Sequence, residues 1–323
     1  MSSLWPILGT IFQGDFVATA VRVATPIALA AIGGTISERS GVVNIALEGI
    51  MLVGSFFGIV AALATGNTWL GVVAAVLAGV AFAAIHAFVS ITLKADQVVS
   101  GTAINILALG VTGFLMTVLY GHPGTTDPVQ TLGPVIPFFG PTTGVIGAVW
   151  NWIYTAFLSY SAIVYMAIFA AIFGQWAMYR TRWGVRLRAL GEHPRAADTV
   201  GIDVVRGRYI AVLWSGALGG LAGADLSLAQ VGTFTEGMTN GRGFIALAAN
   251  IFGRWTPGGS YLASLMFGAA EALEIKLQLF SNVIKIPPQF FLMLPYILTV
   301  IVLAGVMGRA VAPKAIGKAY EKE

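Results

Sequence analysis

Residues 69–93 read WLGVVAAVLAGVAFAAIHAFVSITL, a run of twenty-five with no Asp, Glu, Lys or Arg. A helix of that length outreaches the ~30 Å of hydrocarbon in a bilayer, which about 20 residues span. Comparable stretches lie at 16–34, 42–64, 98–120, 159–178, 208–228, 258–279 and 290–308. A shorter apolar piece, Gly243–Gly253, is either a ninth span or a re-entrant helix. Charged residues make up 10% of the 323, against 57% hydrophobic, where soluble domains carry about 25% charge. The alternating ten-residue segments of a membrane β-barrel do not occur. The fold class is therefore an all-α polytopic membrane protein with about nine transmembrane helices, within a range of about eight to ten.

The largest polar block is Tyr179–Tyr209, YRTRWGVRLRALGEHPRAADTVGIDVVRGRY, which holds seven of the eighteen Lys and Arg residues. Placing it in the cytoplasm with the tail residues Arg309, Lys314, Lys318 and Lys322 also puts Arg39, Lys94 and Arg254 inside. Fourteen of eighteen positive charges then share one side, as the positive-inside rule asks. The outer loops, 65–68, 121–158 and 279–289, hold only Lys285. The organisation read from this is a short extracytoplasmic segment 1–15, one membrane domain 16–308 with a cytoplasmic loop 179–208, and a cytoplasmic tail 309–323. The net charge of +4 serves orientation, not nucleic acid. The absence of cysteine excludes disulfides and thiolate sites, and the N-terminus lacks the basic region of a signal peptide.

Inside the polar block, Glu192–Gly201 predicts a helix of under two turns. Pro194 suits its first position and Gly201 a left-handed stop. In the outer loop, five prolines between Gly121 and Gly144 predict irregular chain. The following VIGAVWNWIYTAFL, with Trp150, Trp152 and Tyr154, predicts a helix along the outer interface, for anchoring or for docking an outer partner.

The sequence holds no G-x-x-x-x-G-K-[ST], no H-E-x-x-H and no G-x-S-x-G, and its histidines (His86, His122, His193) are scattered. An enzyme is not indicated. Among ionisable groups at membrane depth, Glu271, Glu274 and Lys276 are spaced for a local network, or Lys276 snorkels outward. Asp225 and Glu48, with Arg22 and Arg242, lie in or near spans, where such groups face a cavity or a partner. Asn44, Glu48, Asn105, Ser227, Gln230 and Asn250 are candidates either for hydrogen bonds between helices, about 1 kcal/mol each, or for lining the path of a polar solute. In GGTISERSGVVNIALEG (33–49), Ser40 or Asn44 is expected to cap the helix that follows. Small residues at 215–223 suit close helix approach or a cavity wall.

Four segments, in one order, resemble a known family: GGTISERSGVVNIALEG, LKADQVVSGTAIN (93–105), RLRALGEHPRAADTVGI (186–202) and TNGRGFIALAANIFGRWTPGG (239–259). They are similar to bacterial ABC-transporter permeases of the branched-chain amino acid, ribose and nucleoside importer group. Within it the chain looks most like the nucleoside permeases that work with basic-membrane-protein-type receptors. The resemblance implies a permease subunit in the bacterial inner membrane, moving a nucleoside or similar polar solute inward. It implies an ABC ATPase that holds the ATP and Mg, a second permease subunit, expected to be non-identical, and an extracytoplasmic solute-binding lipoprotein. No cofactor or metal is expected in this chain. The 192–201 helix resembles the coupling helix, so Arg188, Gly191, Glu192, Pro194, Arg195, Ala196, Asp198 and Gly201 are the implied contacts to the ATPase. Two alternatives stay open: the same machinery carrying a sugar or branched-chain amino acid, and an ion-coupled secondary transporter.

Overall fold

The computed structural model describes residues 14–141, 143–279, 288–291, 293, 297 and 311–321. Residues 1–13 of the expected segment 1–15, Lys285, Arg309, Lys322 and most of the expected span 290–308 lie outside the described residues. The described chain is helical nearly throughout. Among the described residues, six helices are long and apolar enough to cross a membrane. These are α1 (Gly14–Arg39), α2 (Leu47–Thr65), α3 (Thr68–Ala87, extended by a π-helical turn to Thr92), α4 (Gln97–Tyr120), α6 (Ala162–Arg180) and α9 (Val204–Ala224, extended by a π-helical turn to Val231). Helix α5 (Gly144–Phe157) lies between α4 and α6, and α7 (Arg182–Glu192) and α8 (Pro194–Thr199) lie between α6 and α9. Then come α10 (Arg242–Phe252), α11 (Pro257–Leu279) and the short α12 (Pro288–Phe291). The 23-residue α11 matches the span expected at 258–279.

The helix starts follow local chemistry. Asp96 accepts from the N–H groups of Val98 and Val99 at 2.8 and 2.9 Å to open α4, Asn67 caps α3 from Trp69, and Asp203 caps α9 from Arg206 at 2.9 Å. Each satisfies a donor that a first turn leaves free.

Helix α1 is the central element, packed against α11, α9 and α10. Around it the small-residue run on α9 acts as a close-approach surface, not a cavity wall. A β-carbon on Gly54 of α2 would sit 2.6 Å from the Gly220 carbonyl, and one on Gly220 would collide with the Ala75 carbonyl of α3. Ser55 Oγ donates to the Gly223 carbonyl at 2.9 Å across the same crossing. In lipid, where helices gain little from hydrophobic burial, this backbone proximity supplies the dispersion contacts that hold them together.

The inner end of the bundle is fixed by contacts among the segments expected to share the cytoplasmic side. Arg39 donates to the carbonyls of Trp255 and Arg254 at 2.6 and 3.0 Å, and its guanidinium lies 4.0 Å from Glu192. Lys94 lies 3.6 Å from Glu321 in the tail. The buried Arg208 donates to Ser40 O at 3.1 Å and Lys318 O at 3.0 Å. One end of the molecule thus gathers 39–41, 94, 191–208, 254 and 313–321.

The crossing predicts that Gly220→Val destabilises the protein by at least the ~1–3 kcal/mol of an overpacked core. Gly110→Val on α4, where a β-carbon meets nothing within 4 Å, should leave stability unchanged. Thermal unfolding of the two detergent-purified variants against the parent checks the pair.

Candidate functional site

Two stretches of chain run unwound inside the bundle, and they meet. The first, residues 42–46, connects α1 to α2, so the expected span at 42–64 is helical only from Leu47. Its backbone groups are satisfied by side chains from three other helices. The Val43 N–H donates to Gln97 Oε1 at 2.7 Å, and the Val43 carbonyl lies 2.9 Å from His86 Nε2. The Ile45 carbonyl accepts from Asn105 Nδ2 at 3.0 Å, and the Val42 carbonyl accepts from Ser37 Oγ at 2.7 Å. His86 is fixed on its other side by Ser100 Oγ, 3.0 Å from Nδ1.

The cap of α2 differs from the sequence expectation. Neither Ser40 nor Asn44 caps it: Ser40 Oγ donates to the Ser37 carbonyl at 2.6 Å and Asn44 Nδ2 to Ser215 Oγ at 2.8 Å. The Gly49 N–H is taken instead by Asn105 Oδ1 at 2.8 Å, from α4. The chain reaches Leu47 without the extended geometry that lets a preceding side chain fold back, since Ala46 is already helical at φ −70°, ψ 0°.

The second unwound stretch, 232–241, follows the π-helical end of α9 and leads into α10. It starts against the outer loop, where Val129 N–H donates to Gly232 O at 2.8 Å and Thr126 N–H to Phe234 O at 3.0 Å. Helix α10 covers 11 residues, about 16 Å at 1.5 Å per residue, too short to cross alone. Before it the chain winds through successive turns, in which the N–H groups of Met238, Asn240 and Arg242 donate to the carbonyls of Thr235, Gly237 and Thr239. Gly243–Gly253 is thus a half-length helix preceded by irregular chain, and Arg254 after it lies beside Arg39.

Glu48, in the first turn of α2, joins the two breaks. Its Oε1 accepts from Gly241 N–H at 2.8 Å and its Oε2 from Gly243 N–H at 2.6 Å, the free donors at the start of α10. One carboxylate thus lies between two helix N-termini, each bearing roughly half a positive charge. Gly243 has no β-carbon because one there would lie 2.5 Å from Glu48 Cα.

The other charged candidates separate. Arg242 pairs with Glu271 on α11 at 2.5 Å, and Lys276 with Asp15 on α1 at 2.5 Å. Glu274 Oε1 accepts from Gln278 at 3.0 Å. The local Glu271–Glu274–Lys276 network expected from spacing does not form, because each group finds a partner on its own side of the helix or on a neighbour. At the outer end Gln230 answers a defect in α1: Pro26 has no N–H, which leaves the Arg22 carbonyl without its helical donor. Gln230 Nε2 donates to that carbonyl at 3.0 Å and to Asp225 Oδ2 at 2.7 Å. Asp225, Gln230 and Arg22 line a polar cavity of about 380 Å³ with Ser159, Ser161 and Thr19. Ser227 Oγ turns back onto the Gly223 carbonyl at 3.2 Å. Asn250 donates to Glu38 Oε2 at 2.9 Å and accepts from Thr35 at 2.7 Å, tying the end of α10 to α1.

At the inner end, α7 and α8 turn the expected cytoplasmic loop into two helices. Pro194 opens α8 and Gly201 follows it at φ +79°, as read from the sequence. A β-carbon on Gly191 would overlap the Arg39 carbonyl, so the α7–α8 joint lies directly on the α1–α2 turn. Ala315 N–H donates to Gly191 O at 2.8 Å and Gly317 N–H to Gly41 O at 3.1 Å, so the tail straps the same joint. Arg188 lies over the Tyr179 ring at 4.8 Å. Arg195 and Ala196 are exposed on α8, while Ala197 is buried beneath them.

Residues 16–303 match the family described as branched-chain amino acid transport system / permease component. The chain belongs to this family. It is 44% identical to the guanosine ABC transporter permease protein NupQ of Bacillus subtilis, over 93% of this chain and 94% of that one. It is 39% identical to the nucleoside ABC transporter permease protein NupC of Lactococcus lactis, over 95% and 96%. A putative glucose ABC transporter permease protein, TsgC13 of Haloferax volcanii, is 34% identical over 97% and 99%. The protein is a multi-pass ABC-transporter permease.

The Glu48 geometry predicts that Glu48→Ala, which frees two N–H groups at the start of α10, lowers stability by roughly 1.5–3 kcal/mol per lost charged hydrogen bond. Glu48→Gln, which keeps one acceptor, should recover part of it. Thermal unfolding of the two variants in detergent reads the difference.

Proposed function

We propose that this chain is the membrane-spanning subunit of an ATP-driven importer that carries a nucleoside into the cytoplasm. An ABC ATPase binds ATP and Mg and drives it from the inner side, and an extracytoplasmic solute-binding lipoprotein delivers the solute from the other. The second permease is a different chain, as the family resemblance implies. The observation that carries the reading is the joint at Gly191. A small exposed helix, α8, follows Gly191, whose backbone packs against the turn between α1 and α2, and that turn leads straight to Glu48. Displacement of α8 by a partner therefore moves the broken-helix centre with it, because close-packed elements shift as bodies.

Nucleoside is preferred over sugar on one ground and over a zwitterionic amino acid on another. The two relatives at 39–44% identity are named for guanosine and nucleoside, whereas the glucose relative stands at 34%. The polar groups inside the bundle are largely amides and hydroxyls, and the carboxylates among them, Glu38, Glu48 and Asp225, are each engaged by donors of the protein itself, which suits neutral solutes. Arg242 and Glu48, the charge pair a zwitterionic amino acid requires, are each held by other groups. The polar cavity at Asp225 and Gln230 opens between α1, α6 and the outer loop, where an incoming neutral solute first meets hydrogen-bonding groups.

In vesicles holding the assembled complex, labelled guanosine should accumulate only with ATP inside, and excess glucose or leucine should not compete. Ala196→Glu, on the exposed face of α8, should cut that uptake by at least tenfold and release the ATPase on purification, while the variant still folds. Uptake driven by an ion gradient with no ATPase present overturns the reading.

A further inference from the structure

Between α7, the end of α8 and the start of α9 lies a groove of about 350 Å³. Its floor is apolar, made by Leu187, Leu190, Ile202 and Gly207. Its rim carries two guanidinium groups, Arg186 on α7 and Arg206 on α9, with the indole of Trp183 beside them. Both arginines are exposed, and neither forms an ion pair among the described residues. The one acidic lining group, Asp203, is engaged through Oδ1 as the cap of α9, so the rim is net positive.

The groove faces lipid along one edge. Arg206, Ile210 and Trp214 follow one another at four-residue spacing on α9, and Ile210 and Trp214 are 37% and 55% exposed. On α7 the buried face is Gly184, Leu187 and Leu190, which turns Arg182, Trp183, Val185 and Arg186 outward. Exposed tryptophan and valine among arginines mark a helix lying in the inner headgroup layer, indole at the interface and guanidinium reaching the phosphates. Basic pockets of this kind between inner helix ends suit anionic headgroups.

We propose that this groove holds an anionic phospholipid, its phosphodiester between Arg186 and Arg206 and its acyl chain along Ile210 and Trp214. Because Gly201 and Ile202 form one wall and close α8, the occupant braces that helix against α7. The site does not depend on which solute the protein carries.

The test uses the full-length chain in vesicles and quenching of Trp183 by bromine-labelled lipid, isolated as the difference between parent and Trp183→Phe. Brominated phosphatidylglycerol should quench Trp183 more strongly than brominated phosphatidylcholine. Each arginine contributes about fivefold to the preference, and Arg186→Gln with Arg206→Gln should abolish it. Equal quenching by the two lipids in the parent overturns the proposal. So does loss of the preference on adding millimolar inorganic phosphate or glycerol phosphate, which assigns the arginines to a soluble anion. A third overturning result is a double variant that keeps its lipid preference but no longer retains the ATPase, which assigns them to that partner.

Discussion

Inside a bilayer a backbone group that leaves its helix has no water to turn to, at a cost of several kcal/mol each. That constraint governs this molecule, because its chain breaks helix twice within the bundle. The breaks persist because fixed side chains take over the missing ladder. Gln97, His86, Asn105 and Ser37 hold residues 42–46, and Glu48 holds the start of α10. Gln230 repairs a smaller defect of the same kind above Pro26. Most of the polar side chains buried in this greasy chain thus serve its own backbone.

Such repairs also decide where the structure can move. A continuous helix resists bending because every hydrogen bond must be remade. A chain held by a few side chains from neighbouring helices shifts when those helices shift. Glu48 is the extreme case: one carboxylate bridges α2 and α10, so the starts of the two helices are coupled through two short hydrogen bonds and a shared electrostatic term. The close crossings of α9 with α2 and α3 act in the opposite sense. Backbones that touch through glycine leave no slack, and they make those three helices one body.

Much of this was legible in the sequence, though unevenly. Uncharged runs fixed the long helices, and the distribution of Lys and Arg anticipated which segments gather at one end. Pro194 and Gly201 bounded α8 because their backbone restrictions are local. What escaped were partners far apart in the chain. Asn105 and Glu48 stood out as polar residues in apolar surroundings, but nothing local ties Asn105 to Gly49, 56 residues away. Gln97 was overlooked because it sits beside the charged turn at Lys94–Asp96 and reads as solvated. A signal for it existed: Gln97, Gly101, Asn105, Ala108 and Thr112 recur at helical spacing, and all are buried on one face of α4. The opposite error, giving the cap of α2 to Ser40 or Asn44, came from trusting a local rule where the chain enters the helix already in helical geometry.

The packing around α8 shows how a six-residue helix could serve as the handle proposed above. Alone, α8 is too short to be stable. It is held by a cluster of Leu190, Ala197 and Val204, with Tyr320 of the tail packed on it. Around that cluster the tail is bonded to Gly191 and Gly41, and Arg208 reaches from α9 to both Ser40 and Lys318. The hydrogen bonds among these contacts end on backbone of the tail, of Gly191 and of residues 40–41 in the α1–α2 turn. In the reading proposed above, a push on α8 passes through this packed joint to residues 42–46. The next elements in line, Asn105 and Glu48, are those on which the unwound backbone depends.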